Sequence, residues 1–322
     1  MTMVANATGK VVVLTTTFYQ DDDGGRLRRG LAGEFFRRGS NSGYTIVSMD
    51  GNAVDGNLGE FGRQIQGDYG INVFPETQRG LGPSRREAVS HAFDMAQRLN
   101  RPYLFWTEPE KIDIFAHIDK VVGESEKVGA DAAIIDRGDL RDYPIGQQSS
   151  EKFGARLYYG LGFKDFSGAQ IDRCCGPLLW KIEHTPYFLV FGSPKVAQEL
   201  AAMRLEEEAK LYNLDIENSV VRSNALRKAK IYMVNKDHMM HMPFDLMFLK
   251  GHKMSSVPVG YKHPEEQTAF EDEEARLKAY DSKRLMQIIA LTEQSKLVQR
   301  LHAKGALNED LEAQRKRLGL AA

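Results

Sequence analysis

Residues 103–111 read YLFWTEPEK. Four large apolar or aromatic side chains run straight into Thr107, Glu108, Pro109, Glu110 and Lys111. Carboxylates at the end of a buried strand are costly unless they are hydrated, paired or bound to a metal. Two acids one residue apart in an extended segment can both reach one divalent cation. Hard oxygen ligands suit Mg2+ or Mn2+, ions that usually carry substrate phosphates as well. The alternative is a plain helix start, because Glu108, Glu110 and Asp113 are also favourable at the N-terminus of a helix beginning near Ile112.

Other residues of the same kind follow other apolar runs. Thr16 and Thr17 follow VVVL, Asp50 follows YTIVSM, and Arg137 comes one residue after ADAAII. A carboxylate at Asp50 can accept hydrogen bonds from a ribose or a base, or can simply build the Asp-Gly-Asn turn in which it lies. The loop from Gln78 to Arg85 holds Gly80, Gly82 and two arginines and opens a helix, so it is a candidate to hold an anionic group on its backbone N–H groups. His238 and His241 form a His-x-x-His among Met239, Met240, Met242 and Phe244. A core or acceptor-pocket place suits them better than zinc, which wants four ligands.

These residues must be positioned by something, and the apolar spacing says what. Short runs at Val11–Thr16, Tyr44–Met49, Ile71–Phe74, Tyr103–Thr107 and Ala130–Ile135 predict buried strands. Between them, Arg26–Arg38, Leu58–Ile65, Pro83–Leu99 and Ile112–Val128 have helical spacing. Strands apolar throughout and joined by helices predict a mainly parallel α/β sheet covered on both faces. In such sheets ligands lie outside the carboxyl ends of the strands, where the residues above fall. Further on, Ser149–Leu161, Lys195–Lys210 and Glu217–Lys228 are expected as helices, and Lys230–Val234 and Met254–Gly260 as short strands. Residues 264–318 are expected to be mostly helical. The division is therefore a domain over 1–268 and a C-terminal helical extension over 269–322. In that extension Leu285, Ile288, Ile289, Leu291, Leu297 and Leu301 form an apolar stripe, suited to packing on the chain's own core or to a homo-oligomer.

The chain has 322 residues with 43 Lys+Arg against 44 Asp+Glu, a balance that gives no electrostatic reason to expect nucleic acid. Its two cysteines, Cys174 and Cys175, are adjacent and poorly placed to pair, which points to a reducing, cytoplasmic setting. No apolar stretch approaches the length of a membrane span.

The order of these pieces resembles a GT-A glycosyltransferase of the family 2 type. The carrying segments are VVVLTTTFYQ, YTIVSMDGNAVDG, RGLGPSRREAVSHAF, LFWTEPEK, ADAAIIDRGD, KDFSGAQIDR and SSVPVGYKHPEEQT, over about residues 10–268. Polyprenyl-phosphate sugar transferases and mannosylglycerate-type synthases are similar. The resemblance implies a nucleotide-sugar donor, UDP- or GDP-linked, and transfer to a small polar or a lipid-phosphate acceptor. The second of these would require contact with a membrane surface. It implies donor contacts from Thr16, Thr17, Asp50, Gly80, Arg85, Glu108 and Arg137. Glu108 and Glu110 stand where that family has Asp-x-Asp, with Lys111 a partial substitute for a cation. His263, after the last core strand, resembles an extra metal ligand. Asp245 and Asp165 match places of an acidic base and of an acceptor-side acid. Two other functions fit the same scaffold: an inactive nucleotide-sugar-binding module, and a nucleotidyltransferase. The latter normally wants an arginine in the loop after the first strand, and none precedes Arg26.

Overall fold

The computed structural model describes residues 7–320 apart from 139, 142, 144, 173–175, 213–217, 236–239 and 270–278. Seven strands form one sheet: β1 (Val11–Thr17), β2 (Thr45–Asp50), β3 (Asn72–Pro75), β4 (Tyr103–Trp106), β5 (Ala132–Asp136), β6 (Leu178–Lys181) and β7 (Met254–Pro258). They lie in the order β3-β2-β1-β4-β6-β5-β7. All neighbours are parallel except β6, which runs antiparallel to both β4 and β5. The helices are α1 (Asp23–Asn41), α2 (Glu60–Tyr69), α3 (Leu81–Arg98), α4 (Phe115–Val128), α5 (Ile145–Gly160), α6 (Thr185–Leu189), α7 (Pro194–Tyr212), α8 (Ser219–Asn235), α9 (His241–Leu249), α10 (Ala279–Ala303) and α11 (Asn308–Arg317).

The period of two along each strand divides the core into two layers. Val11, Val13, Tyr103, Phe105, Ala133 and Ile135 face α1, α2 and α4, where they meet Phe35, Phe36, Ile65, Ile118 and Val122. Val12, Leu14, Leu104, Trp106, Ala132 and Ile134 face the other way, onto Ala88, Ala92 and Phe93 of α3 and the later helices. Strands buried on both faces have no room for alternating polar residues, which is why they read as unbroken apolar runs.

Two expectations differ from the structure. Lys230–Val234 is not a strand but the last part of α8: Ala229 and Met233, four apart, are both buried on one helical face. The strand LLWK at β6 was not expected, because four apolar-leading residues before a lysine give no clear period. It enters from the carboxyl edge of the sheet after a long loop, so it must run backwards. Its Trp180 stacks on Phe188 of α6 with ring centroids 3.9 Å apart.

The C-terminal stripe packs on the chain's own core. Leu297, Val298 and Leu301 of α10 and Leu311 of α11 belong to the same apolar layer as β1 and β4. At the other end of α10, Leu285, Met286 and Ile289 are exposed. No helix among the described residues is long and apolar enough to cross a membrane. Cys174, Cys175 and His238 lie outside the described residues, while His241 opens α9.

Candidate active site

The carboxyl ends of β1, β2, β3, β4, β5 and β7 share one edge of the sheet, set by the parallel register Thr17↔Asp50↔Pro75 and Asp136↔Pro258. Because β6 is antiparallel, the loop before it, with Asp165 and Asp172, reaches the same edge.

Several of the residues singled out in the sequence are engaged there in holding the scaffold. Thr16 and Thr17 end β1, and the buried Thr17 hydroxyl donates to the Met49 carbonyl at 3.2 Å. Asp50 is 1% exposed and accepts from the backbone N–H of Asn52 at 3.0 Å and of Gly59 at 2.6 Å. A Cβ on Gly62 would come within 2.4 Å of the Asp50 carboxylate, so only glycine lets α2 start this close. The turn is tied to β1 through Asn52, whose Oδ1 accepts from Tyr19 N–H at 2.9 Å. Asp165 folds on itself: its Oδ1 accepts from Ser167 N–H at 2.8 Å, the Ser167 hydroxyl at 2.6 Å and Ala169 N–H at 2.8 Å. Asp245 is fully buried in α9, away from solvent, where Tyr158 of α5 and Ser295 of α10 both donate to it.

Arg137 is also buried, its side chain 2% exposed. It bonds Asp172 through Nε at 2.8 Å and Nη2 at 2.9 Å, and meets Glu151 Oε2 at 2.5 Å. Its guanidinium lies 5.1 Å from the centre of the Tyr143 ring. This arginine fastens α5 and the loop before β6 to the end of β5.

Three backbone donors in and before the glycine loop are committed as well. Gly80 N–H donates to Glu76 at 3.1 Å, and Thr77 and Gln78 N–H donate to Glu87 at 2.9 and 3.1 Å. The Arg85 guanidinium lies 5.1 Å from the Trp106 ring centre. Burial, opposed by the Gly80 bond and helped by Glu87 and Asp50, pushes the Glu76 carboxyl up to about 7. A carboxyl with a raised folded pKa stabilises the fold below its ordinary value of 4.5, and that contribution is lost as pH rises through 7. Glu76→Gln is therefore expected to raise the thermal midpoint at pH 8 and leave it unchanged at pH 4. The side chain is half-buried and solvent screens part of the effect, so the gain is on the order of 1 kcal/mol. Equal shifts at both pH values would show that ionisation of Glu76 is not responsible.

The remaining residues form a cluster that the scaffold does not absorb. After β4, Glu108 meets Lys111 Nζ at 3.4 Å. Gly176, in the loop before β6, lies against Glu108: a Cβ there would be 2.4 Å from Oε1. Lys111 Nζ stands 5.8 Å from the Tyr261 ring centre, and His263 packs edge-on against Tyr261 at 5.8 Å and Tyr143 at 5.2 Å. On the other side of Glu110 are Tyr19, whose ring meets Phe61 at 5.6 Å, and the first turns of α1. Burial raises the Glu110 carboxyl and the carboxylate of Glu108 adds to this, while a bond from its own backbone N–H, Arg28 and Lys111 oppose it. Burial also raises the Tyr19 hydroxyl, with Glu110 adding and Arg28 and Arg29 opposing. Tyr19 Oη and Arg29 Nε are buried and make no hydrogen bond to a described residue, while Glu108 Oε2 has only the Lys111 ammonium at 3.4 Å. Buried polar atoms are nearly always bonded, so Tyr19 Oη and Arg29 Nε are exceptions on this side of the cluster.

The ligand atoms of Glu108, Glu110 and His263 do not all lie within 4.8 Å of one another; among the described residues only Asp131, His184 and His252 form such a group. Lys111 Nζ stands 3.4 Å from Glu108, so an ammonium already sits beside one of the two carboxylates. Tyr19, Arg28 and Arg29 were missed in the sequence. Their signal was available: they follow β1 directly, in the loop and helix start that any parallel sheet places at its carboxyl edge.

No protein-family model matches this chain, and no curated protein matches it. Among solved structures it is similar to a cytidylyltransferase from Leptospira borgpetersenii, at 9% identity, over 90% of this chain and 96% of that one, with a TM-score of 0.34.

Proposed function

We propose that this chain is a glycosyltransferase of GT-A type that moves a sugar from a nucleotide diphosphate donor, with the reaction centred on Glu110. The observation that carries this reading is the grouping of Glu108, Glu110 and Lys111 with Tyr19 and Arg28 at the carboxyl edge of a mainly parallel sheet, where the resemblance to such enzymes puts the donor. Transfer needs an acceptor hydroxyl deprotonated as the sugar leaves. A carboxyl whose pKa is lifted toward the working pH suits that task. Glu110 is placed to take the proton, and the Tyr19 hydroxyl to orient the reacting group. The leaving diphosphate needs positive charge, which Arg28, Arg29 and Lys111 would supply. No step is routed through a divalent ion.

A second reading is a module that binds nucleotide sugars without turning them over. It is favoured by the commitment of Asp50, Asp165, Arg137 and Asp245 to structural bonds. Calorimetry and donor hydrolysis with UDP- and GDP-sugars, in Mn2+ and in chelator, separate the two. The expected result is saturable binding and sugar release that persist in chelator. Binding without release would favour the module, and no heat with any donor would sink both.

A further inference from the structure

At the opposite edge of the sheet the antiparallel β6 brings three distant residues together. Asp131 precedes β5, His184 follows the end of β6, and His252 precedes β7. Since β6, β5 and β7 are neighbours and β6 alone is reversed, the end of one meets the beginnings of the other two. The backbone closes this corner, with Lys181 N–H donating to the Asp131 carbonyl at 3.0 Å and Asp131 N–H to the Lys253 carbonyl at 2.7 Å.

We propose that Asp131, His184 and His252 bind one divalent transition-metal ion of the zinc type. His184 Nε2 lies 3.5 Å from Asp131 Oδ1, and His252 Nδ1 lies 3.6 Å from Asp131 Oδ2. Metal bonds of about 2.0–2.1 Å in a tetrahedron place ligand atoms roughly 3.4 Å apart, so these gaps are of the right size. All three ligand atoms lie within 4.8 Å of one another. Glu183 Oε1, 4.0 Å from the same His184 nitrogen on a half-exposed side chain, is at hand for a fourth position, as is water.

Two further observations favour an ion over a plain polar contact. His184 is more than nine-tenths buried, yet neither ring nitrogen makes a hydrogen bond to a described residue. The Asp131 carboxylate at 3.5 Å recovers only part of the desolvation cost of that ring. Second, the outer groups are arranged as they are around ligating residues. His252 Nε2 is 2.8 Å from the Tyr187 hydroxyl, which holds that ring so that Nδ1 is turned toward Asp131. Asp131 is itself oriented by Lys253 N–H, which donates to Oδ2 at 2.9 Å. Imidazole nitrogen and one carboxylate oxygen suit zinc, nickel and cobalt better than magnesium. Lys181 is the competitor: its ammonium holds Asp131 without the ion and must turn outward when the ion binds.

The test uses the full chain, stripped with chelator and titrated with Zn2+ by calorimetry and with Co2+ by visible absorption. One equivalent is expected, with the strong d–d bands of a four-coordinate Co2+ site. His252→Ala should weaken Zn2+ binding by at least about tenfold, as should His184→Gln. Lys181→Met should tighten it. His252 is the more exposed histidine, so its variant keeps the test open if His184→Gln does not fold. The absence of a one-equivalent site for Zn2+ and Co2+, or unaltered binding by His252→Ala, overturns the proposal.

Discussion

Arg137→Met is expected to unfold at a free energy lower by about 3–5 kcal/mol than the parent chain. The guanidinium is buried between Glu151, itself buried, and Asp172, with Tyr143 against its face. Removing it leaves two carboxylates facing each other in a place that water barely reaches. One must then take up a proton or the segments carrying them must separate. Methionine keeps much of the volume, so the loss reports charge and hydrogen bonds rather than a cavity. Urea unfolding followed by circular dichroism measures it. The double variant Arg137→Met with Glu151→Gln should regain part of the loss, because it removes one of the stranded charges. A single-variant loss below about 1 kcal/mol would show that the buried triad is not the fastening described here.

Glu110→Gln is expected to lower turnover by roughly 10²–10⁴-fold, the range of a positioned acid–base group, while leaving the fold as stable or more so. The sign of the stability effect follows from the raised carboxyl. Its contribution is full below the ordinary carboxyl value of 4.5 and is lost as pH rises through the folded value. At neutral pH the wild type has therefore lost some or all of that contribution, whereas glutamine does not titrate. A site residue is recognised by this opposition, stability kept and rate lost. Donor turnover and thermal midpoint at pH 5 and pH 8 are the two measurements. In the wild type the acidic limb of kcat/KM should lie above the ordinary carboxyl value, and Glu110→Gln should abolish that limb. If turnover survives the substitution, Glu108 and Glu110 are only the polar entry to the helix that follows.

The alternation of strand and helix from Val11 to Asp136 was legible because it rests on local chemistry. Runs such as VVVLTT and ADAAII are apolar at every position, and a strand of that kind is stable only with both faces covered. That implied a parallel sheet, and with it the edge at which a ligand belongs. What could not be read was which polar residues at that edge face a ligand and which face the backbone. Asp50 and Glu110 look alike in sequence, each an acid just past a buried strand. Asp50 is consumed by the N–H groups of Asn52 and Gly59, because Gly59 and Gly62 allow α2 to start against it. Glu110 is left by the Pro109 turn beside Tyr19 and Arg28.

By itself the sequence determined the period, the strand ends and the side of the sheet on which chemistry is to be expected, since all of these follow from residues within a few positions of one another. Tertiary structure decided the pairings across long separations. Arg137 meets Asp172 because β6 is reversed and the loop before it returns over the carboxyl edge, and Glu151 because α5 packs against that edge. The same reversal gathers Asp131, His184 and His252 at the amino edge, from positions with no motif between them. The direction of a four-residue strand is set by where its connecting loop enters the sheet and by the burial of Trp180 on Phe188, and neither of these is a local property of the chain.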